Sequence, residues 1–183
     1  GAVSPGSKLL LAVGRLAARK GYGTLIRGFS VLNKEMPNTK LVIVGRGHLK
    51  RRLMRLAKSL GVGEDITIES SLSFAELAQL YRSSDLVVYP SFYEGQGLIP
   101  LEAMASGVPV VTVDHGPLPE MVDESVGALF TMGNIESMVS VMKEVLKAGR
   151  KKGEKGRARV LQKFTYSGNA ESFENIYLEA INR

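Results

Sequence analysis

From Lys8 onward the chain alternates short aliphatic or β-branched runs with longer amphipathic stretches, with Gly or Pro at the changes. This alternation limits the fold more than any other feature. Parallel strands need a crossover of a dozen or more residues, usually a helix, and strands covered on both faces are continuously apolar. The runs Leu9–Val13, Leu41–Val44, Ile66–Ile68, Leu86–Tyr89 and Val108–Val113 read as buried strands, and Val126–Phe130 adds a sixth. Between them, Gly23–Lys34 carries Leu25, Ile26, Phe29 and Leu32 at helical spacing, and Leu49–Leu60 carries Leu49, Leu53, Leu56 and Leu60 likewise. Ser73 followed by Glu76 forms a capping-box start for a helix over Phe74–Arg82. After Phe130 the strand signals stop, and Asn134–Lys147, Lys155–Phe164 and Ser167–Ile181 read as closing helices. The expected fold class is α/β, a Rossmann-like doubly wound parallel sheet of about six strands with closing C-terminal helices. In such sheets ligands bind at the carboxyl ends of the strands.

At 183 residues the chain suits one domain rather than two. Residues 1–7 are small, polar and turn-prone, which reads as a linker or cloning remnant, and residues 8–183 form the expected domain. With 44% hydrophobic and 23% charged residues the composition is that of a soluble globular protein. There is neither an apolar run of transmembrane length nor a signal-peptide pattern, so a cytoplasmic location is expected. Cysteine is absent, which excludes disulfides and thiolate chemistry, and the histidines His48 and His115 stand too far apart for a ligand pair, so no metal is expected.

Three segments carry chemistry. Gly14-Arg15-Leu16-Ala17-Ala18-Arg19-Lys20-Gly21 follows the first strand and sets cations ahead of a helix start, where orphan N–H groups favour an anion. Read alone, it is equally a diphosphate clamp or a solvated basic turn. Gly45-Arg46-Gly47 after the second strand is a tight turn that lets a ligand approach the backbone. Position 50 is Lys rather than the third glycine of a dinucleotide fingerprint, and no phosphate-loop pattern occurs. Pro90 to Pro109 runs from a strand end through a glycine-containing loop into a helix starting near Leu98, with Glu94 in the loop and Glu102 a turn inside the helix. Both carboxylates are expected to face the ligand crevice, where each can accept from vicinal sugar hydroxyls; the bland alternative is an exposed loop acid and a helix-face acid.

Glu94 and Glu102, seven residues between them, resemble the E-x7-E signature of glycosyltransferase family 4, the retaining family of two-domain GT-B enzymes. Gly14-Arg15-Leu16 with Lys20-Gly21, Leu41–Gly45, Leu77–Tyr81, Asp85–Ser91 and Pro117–Glu120 resemble other motifs of that family, so the resemblance extends from Leu9 to Ile181. It implies the C-terminal, nucleotide-sugar-binding half of a GT-B fold. It further implies that Arg15 and Lys20 neutralise the donor diphosphate, that Glu94 contacts hexose hydroxyls and that Glu102 holds the ribose. Gly14, Gly45, Gly95, Gly97 and Leu98 would line the donor, with N–H groups near Gly97 and Leu98 on a phosphate. The implied reaction is hexosyl transfer with retention from a nucleotide diphosphate sugar, with no obligatory cofactor or metal. An N-terminal acceptor domain would be the missing partner, and without it the chain would be inactive or weakly active. The alternatives are a noncatalytic nucleotide-sugar-binding module and a nucleotide-sugar epimerase of related fold.

Departures from the family pattern fall at Gln96, which bears on how the loop packs under the sugar, at Ser70-Ser71-Leu72, which leaves the donor base open, and at His115-Gly116, where His115 is given no catalytic role. The net charge of +6 is uneven: Arg46, Lys50, Arg51, Arg52, Arg55 and Lys58 form one run without an acid, and Lys147 to Lys163 hold a second group. Such faces suit an anionic membrane surface or are simply solvated. No aromatic platform accompanies them, so nucleic acid is not expected as a partner.

Overall fold

The computed structural model describes residues 6–181, so most of the expected linker, residues 1–5, lies outside the described residues. The elements run β1 (Lys8–Val13), α1 (Tyr22–Glu35), β2 (Thr39–Val44), α2 (Lys50–Ser59), β3 (Ile66–Glu69), α3 (Phe74–Ser83) and β4 (Leu86–Tyr89). They continue with α4 (Leu98–Ala105), β5 (Val110–Val113), α5 (Leu118–Met121), β6 (Gly127–Phe130), α6 (Ile135–Ala148), α7 (Lys151–Lys163) and α8 (Tyr166–Ile181). The strands form one six-stranded sheet in the order β3-β2-β1-β4-β5-β6, and every pairing is parallel. This is the doubly wound arrangement expected from the sequence.

Two apolar layers cover the sheet. Leu10, Ala12, Leu41, Ile43 and Val88 point to the face packed by α1, α2 and α6, where Phe29 and Met142 are fully buried. Leu11, Val13, Val87 and Val110 point to the face packed by α3, α4 and α7. The central strands β4 and β5 are buried at every position, which is why they read as unbroken apolar runs. β3 lies at the sheet edge and alternates buried with exposed residues, so Thr67 and Glu69 face outward.

The boundaries differ from the sequence reading where backbone donors are spent elsewhere. β5 begins at Val110 rather than Val108, because the Val108 N–H closes α4 on Ala103 at 3.0 Å and Pro109 has none to give. The capping box holds, with Ser73 N–H donating to Glu76 Oε2 at 2.7 Å and Glu76 N–H to Ser73 Oγ at 3.3 Å. Asn134 caps α6 rather than opening it, by accepting from Ser137 N–H at 2.9 Å. Pro117 is the N-cap of the short helix α5, and Leu118, Pro119 and Glu120 lie inside it.

α7 starts at Lys151, four residues before the expected Lys155, and takes in Gly153 and Gly156 as buried contact points. A Cβ at Gly153 would lie 2.1 Å from the Gly107 carbonyl oxygen, so only glycine lets α7 close on the end of α4. Mid-helix glycine ordinarily costs about 1 kcal/mol relative to alanine. Here the sign reverses: Gly153→Ala is expected to lower stability by about 1–3 kcal/mol in a denaturant titration, the usual cost of overpacking. α7 is also held by its arginines. Arg150 donates to Arg82 C=O in the last turn of α3 at 2.6 Å, Arg157 to Ala105 C=O at the end of α4, and Arg159 to Met121 C=O at the end of α5 at 3.1 Å. Cations there satisfy orphan carbonyls and meet the negative ends of the helices.

Candidate donor site at the carboxyl edge

Because all strands are parallel, their carboxyl ends share one edge. At the centre of that edge β1 and β4 are neighbours. The chain leaves β1 towards α1 on one face and β4 towards α4 on the other, which opens a crevice between residues 14–21 and 90–97. The loops that bound it touch backbone to backbone. A Cβ on Gly45 would lie 1.9 Å from the Gly14 carbonyl oxygen, and Leu16 N–H donates to Arg46 C=O at 2.8 Å. Across the crevice, Phe92 N–H donates to Arg19 C=O at 2.9 Å. Gly21 has a left-handed φ of 69°, and a Cβ there would sit 2.1 Å from the Pro90 carbonyl oxygen.

A single 3-10 turn, Ala18–Lys20, delivers the Lys20 ammonium onto the Glu94 carboxylate. Lys20 Nζ also lies 3.2 Å from the Tyr89 hydroxyl and 5.4 Å from the centre of its ring. Ser91 Oγ donates to the same Glu94 oxygen at 2.5 Å. The pair is well sheltered, with side chains 14% and 13% exposed. Burial pushes the Glu94 carboxyl up, but hydrogen bonds from Lys20, Ser91 and Tyr89 with the Lys20 charge outweigh it, and its pKa lies below the ordinary value. Burial first, and then Glu94, pushes the Tyr89 and Tyr22 phenols far above their ordinary range, so both stay neutral donors. Tyr22 is 3% exposed, and its hydroxyl lies 2.9 Å from where a Gly14 Cβ would stand.

Both helices that enter the crevice present bare N-termini. α1 has Gly21 and α4 has Gly97 at the N-cap, and neither helix has a side-chain cap or an acid in its first turn. Their first-turn N–H groups and positive partial charge therefore face the crevice. Leu98, the first helical residue of α4, is exposed, as are Gly95 and Arg15, and Arg15 makes no side-chain hydrogen bond or ion pair among the described residues. Among those residues no group of three or more His, Asp or Glu side chains gathers as a metal site.

Glu102 sits elsewhere than beside Glu94. It accepts from the Tyr81 hydroxyl at 2.8 Å and lines a groove between α3 and α4 with Phe74, Leu77 and Ser106. Burial and then the Glu102 charge push the Tyr81 phenol up, and Tyr22 and Tyr89 lie within electrostatic range of it. Sequence reasoning missed Tyr22, Tyr81, Tyr89 and Ser91; Tyr22 directly follows Gly21 and Tyr89 is the last residue of β4, but no local signal marks Tyr81 inside α3 or Ser91.

The family described as Glycosyl transferases group 1 matches residues 2–160. D-inositol 3-phosphate glycosyltransferase of Corynebacterium aurimucosum is 31% identical over 185 residues, covering 96% of this chain and 44% of that protein. The crystal structure of the C-terminal domain of a glycosyl transferase group 1 family protein from Francisella tularensis is 26% identical with a TM-score of 0.79, covering 87% of this chain and 88% of that one. A TarM variant from S. aureus, crystallised with fondaparinux, alpha-GlcNAc-glycerol and UDP, shares the fold at 24% identity and a TM-score of 0.84 over 93% of this chain and 35% of that one. The chain spans less than half the length of the curated relatives it matches. With its doubly wound sheet forming the C-terminal half of a GT-B fold, the chain belongs to the group 1 glycosyltransferase family.

Proposed function

We propose that this chain is the donor half of a retaining hexosyltransferase and that it binds a nucleotide diphosphate sugar across the β1–β4 crevice. The observation that carries the reading is the meeting there of Lys20 with Glu94 between two uncapped helix starts. An anion suits the helix starts and cations, and a carboxylate beside it suits hydroxyls. UDP in the TarM complex is consistent with such a ligand.

In this reading the diphosphate draws Lys20 away from Glu94, joins Arg15 and rests on the N–H groups of Gly97 and Leu98. Glu94 is thereby freed to accept from hexose hydroxyls. Glu102, steadied by Tyr81, accepts from the ribose, and Gly95, with nothing within 4 Å of a Cβ position, leaves room for the ligand, whereas the space beside Gly14 and Gly45 is taken by the Tyr22 hydroxyl and the Gly14 carbonyl. As the anomeric carbon–oxygen bond breaks, negative charge grows on the leaving diphosphate, where Lys20, Arg15 and the helix starts stabilise it without needing a resident metal; losing one such group ordinarily costs ~10²–10³ in rate. A second domain of the kind that makes up the rest of the relatives' length supplies the acceptor, so this chain alone binds donor and turns over poorly.

Calorimetric titration with UDP, GDP, ADP and their glucosyl and mannosyl sugars tests the reading. One nucleotide is expected to bind, with Arg15→Ala and Glu102→Ala each weakening it about tenfold or more, as for loss of a charged hydrogen bond. Absence of binding at millimolar ligand, or binding indifferent to both substitutions, contradicts it.

A further inference from the structure

The two basic runs are not equivalent. They lie on opposite faces of the sheet, α2 packing with α1 and α7 with α4, so no single flat surface can engage both. In the second run Arg150, Lys152, Arg157 and Arg159 are engaged with backbone carbonyls, and Lys152 and Arg159 also with Glu144 and Asp123. Glu154 interrupts the lysines that remain there.

α2 differs. Arg46 and Lys50 are tied to Ser70, by bonds of 3.2 and 2.9 Å. Arg51, Arg52, Arg55 and Lys58 are exposed, and none has a side-chain partner among the described residues. No acid occurs between Arg46 and Lys58. Leu53 and Ala57 anchor the helix, and Arg51, Arg55 and Lys58, spaced i, i+4 and i+7, fall along its opposite ridge. Arg52 turns instead to the groove it lines with Ala17, Gly21 and Thr24. Through Arg52, therefore, and not through the ridge, α2 borders the loop that carries Lys20.

We propose that the outer face of α2 is a docking surface for an anionic phospholipid membrane, with the helix lying along the surface and the β1–β4 crevice beside it. An exposed row of unpaired cations over an apolar anchor suits a sheet of anionic headgroups, each cation contributing independently near the surface. No aromatic residue lies on α2 to stack bases, which favours lipid over nucleic acid. The proposal stands apart from the donor reading, since it concerns the surface of the chain and not the crevice.

Vesicle co-sedimentation of the chain, with phosphatidylglycerol/phosphatidylcholine and pure phosphatidylcholine vesicles at 0.15 M salt (about the physiological ionic strength), tests it. Two variants carry equal charge changes: Arg51→Gln/Arg55→Gln/Lys58→Gln on α2 and Lys151→Gln/Lys155→Gln/Lys163→Gln on α7. Binding only to the anionic vesicles is expected, weakened on the order of a hundredfold by the α2 triple and less than about threefold by the α7 triple. Equal loss in both variants would mean net charge alone and overturn the proposal. So would absence of binding to anionic vesicles, or a DNA oligonucleotide displacing the chain from them. Thermal melts of both triples check folding, and these exposed positions are expected to leave it unchanged.

Discussion

Replacing Lys20 with Met is expected to lower stability by about 1–3 kcal/mol, the cost of losing a hydrogen bond to a charged group, and less than that of breaking a fully buried ion pair because both partners are only partly buried. It is also expected to weaken nucleotide binding by roughly thirty- to a hundredfold, the loss of a hydrogen bond to a charged group. The two effects separate because they have different causes. Glu94, sheltered at 13% exposure, keeps its charge and loses the ammonium that offsets its burial. A Lys20→Met/Glu94→Gln double variant removes that orphaned charge, so it should regain most of the stability and none of the affinity. Denaturant titration and calorimetry on the variants read the two quantities independently.

The same pair fixes a pH dependence. The folded-state pKa of Glu94 is lowered from 4.5, so its stabilisation is fully present above that value and is lost as pH falls through the lower folded value. In Lys20→Met the carboxyl protonates at higher pH, which relieves its unpaired charge sooner. The stability gap between parent and variant should therefore narrow on acidification from neutrality.

Gly21→Ala is the other large effect, with an expected loss of about 2–4 kcal/mol. A left-handed φ of 69° costs a Cβ-bearing residue about 1 kcal/mol, and a Cβ at 2.1 Å from the Pro90 carbonyl must push the β4 loop away at an overpacking cost of about 1–3 kcal/mol. Gly61→Ala separates the two contributions. Gly61 is also left-handed, at 77°, but nothing lies within 4 Å of a Cβ there, so only the backbone cost of about 1 kcal/mol is expected. Equal losses at Gly21 and Gly61 would mean that the crevice loops yield freely.

The layered fold was legible because burial on both faces leaves central strands such as Leu86–Tyr89 unbroken in the sequence and forces helices with single apolar stripes such as Leu25–Leu32 between them. What the sequence pattern does not show depends on contacts distant along the chain. Gly153 reads as a helix breaker until the end of α4 is placed against it. The Lys20–Glu94 pair joins residues 74 positions apart, and the motifs give each its own part of the ligand rather than the other. The E-x7-E spacing correctly puts Glu94 in a loop and Glu102 inside a helix, but it does not reveal that Glu94 lies against Lys20 while Glu102 lines the α3–α4 groove. The tyrosines beside these acids have no pattern of their own: Tyr81 is buried by helix packing and Tyr89 by its strand, and only the fold turns their hydroxyls towards Glu102 and Lys20.

The most direct test of the donor-site account is an amide chemical-shift titration of the isotope-labelled chain with the nucleoside diphosphate that binds. The account predicts the largest shifts at Gly14–Gly21, at Gly45–Gly47 and at Gly95–Ile99, around the β1–β4 crevice, with smaller ones at Tyr81 and Glu102 in the α3–α4 groove. Shifts confined to α2 or α7, or saturable binding that leaves the crevice amides unmoved, would contradict it.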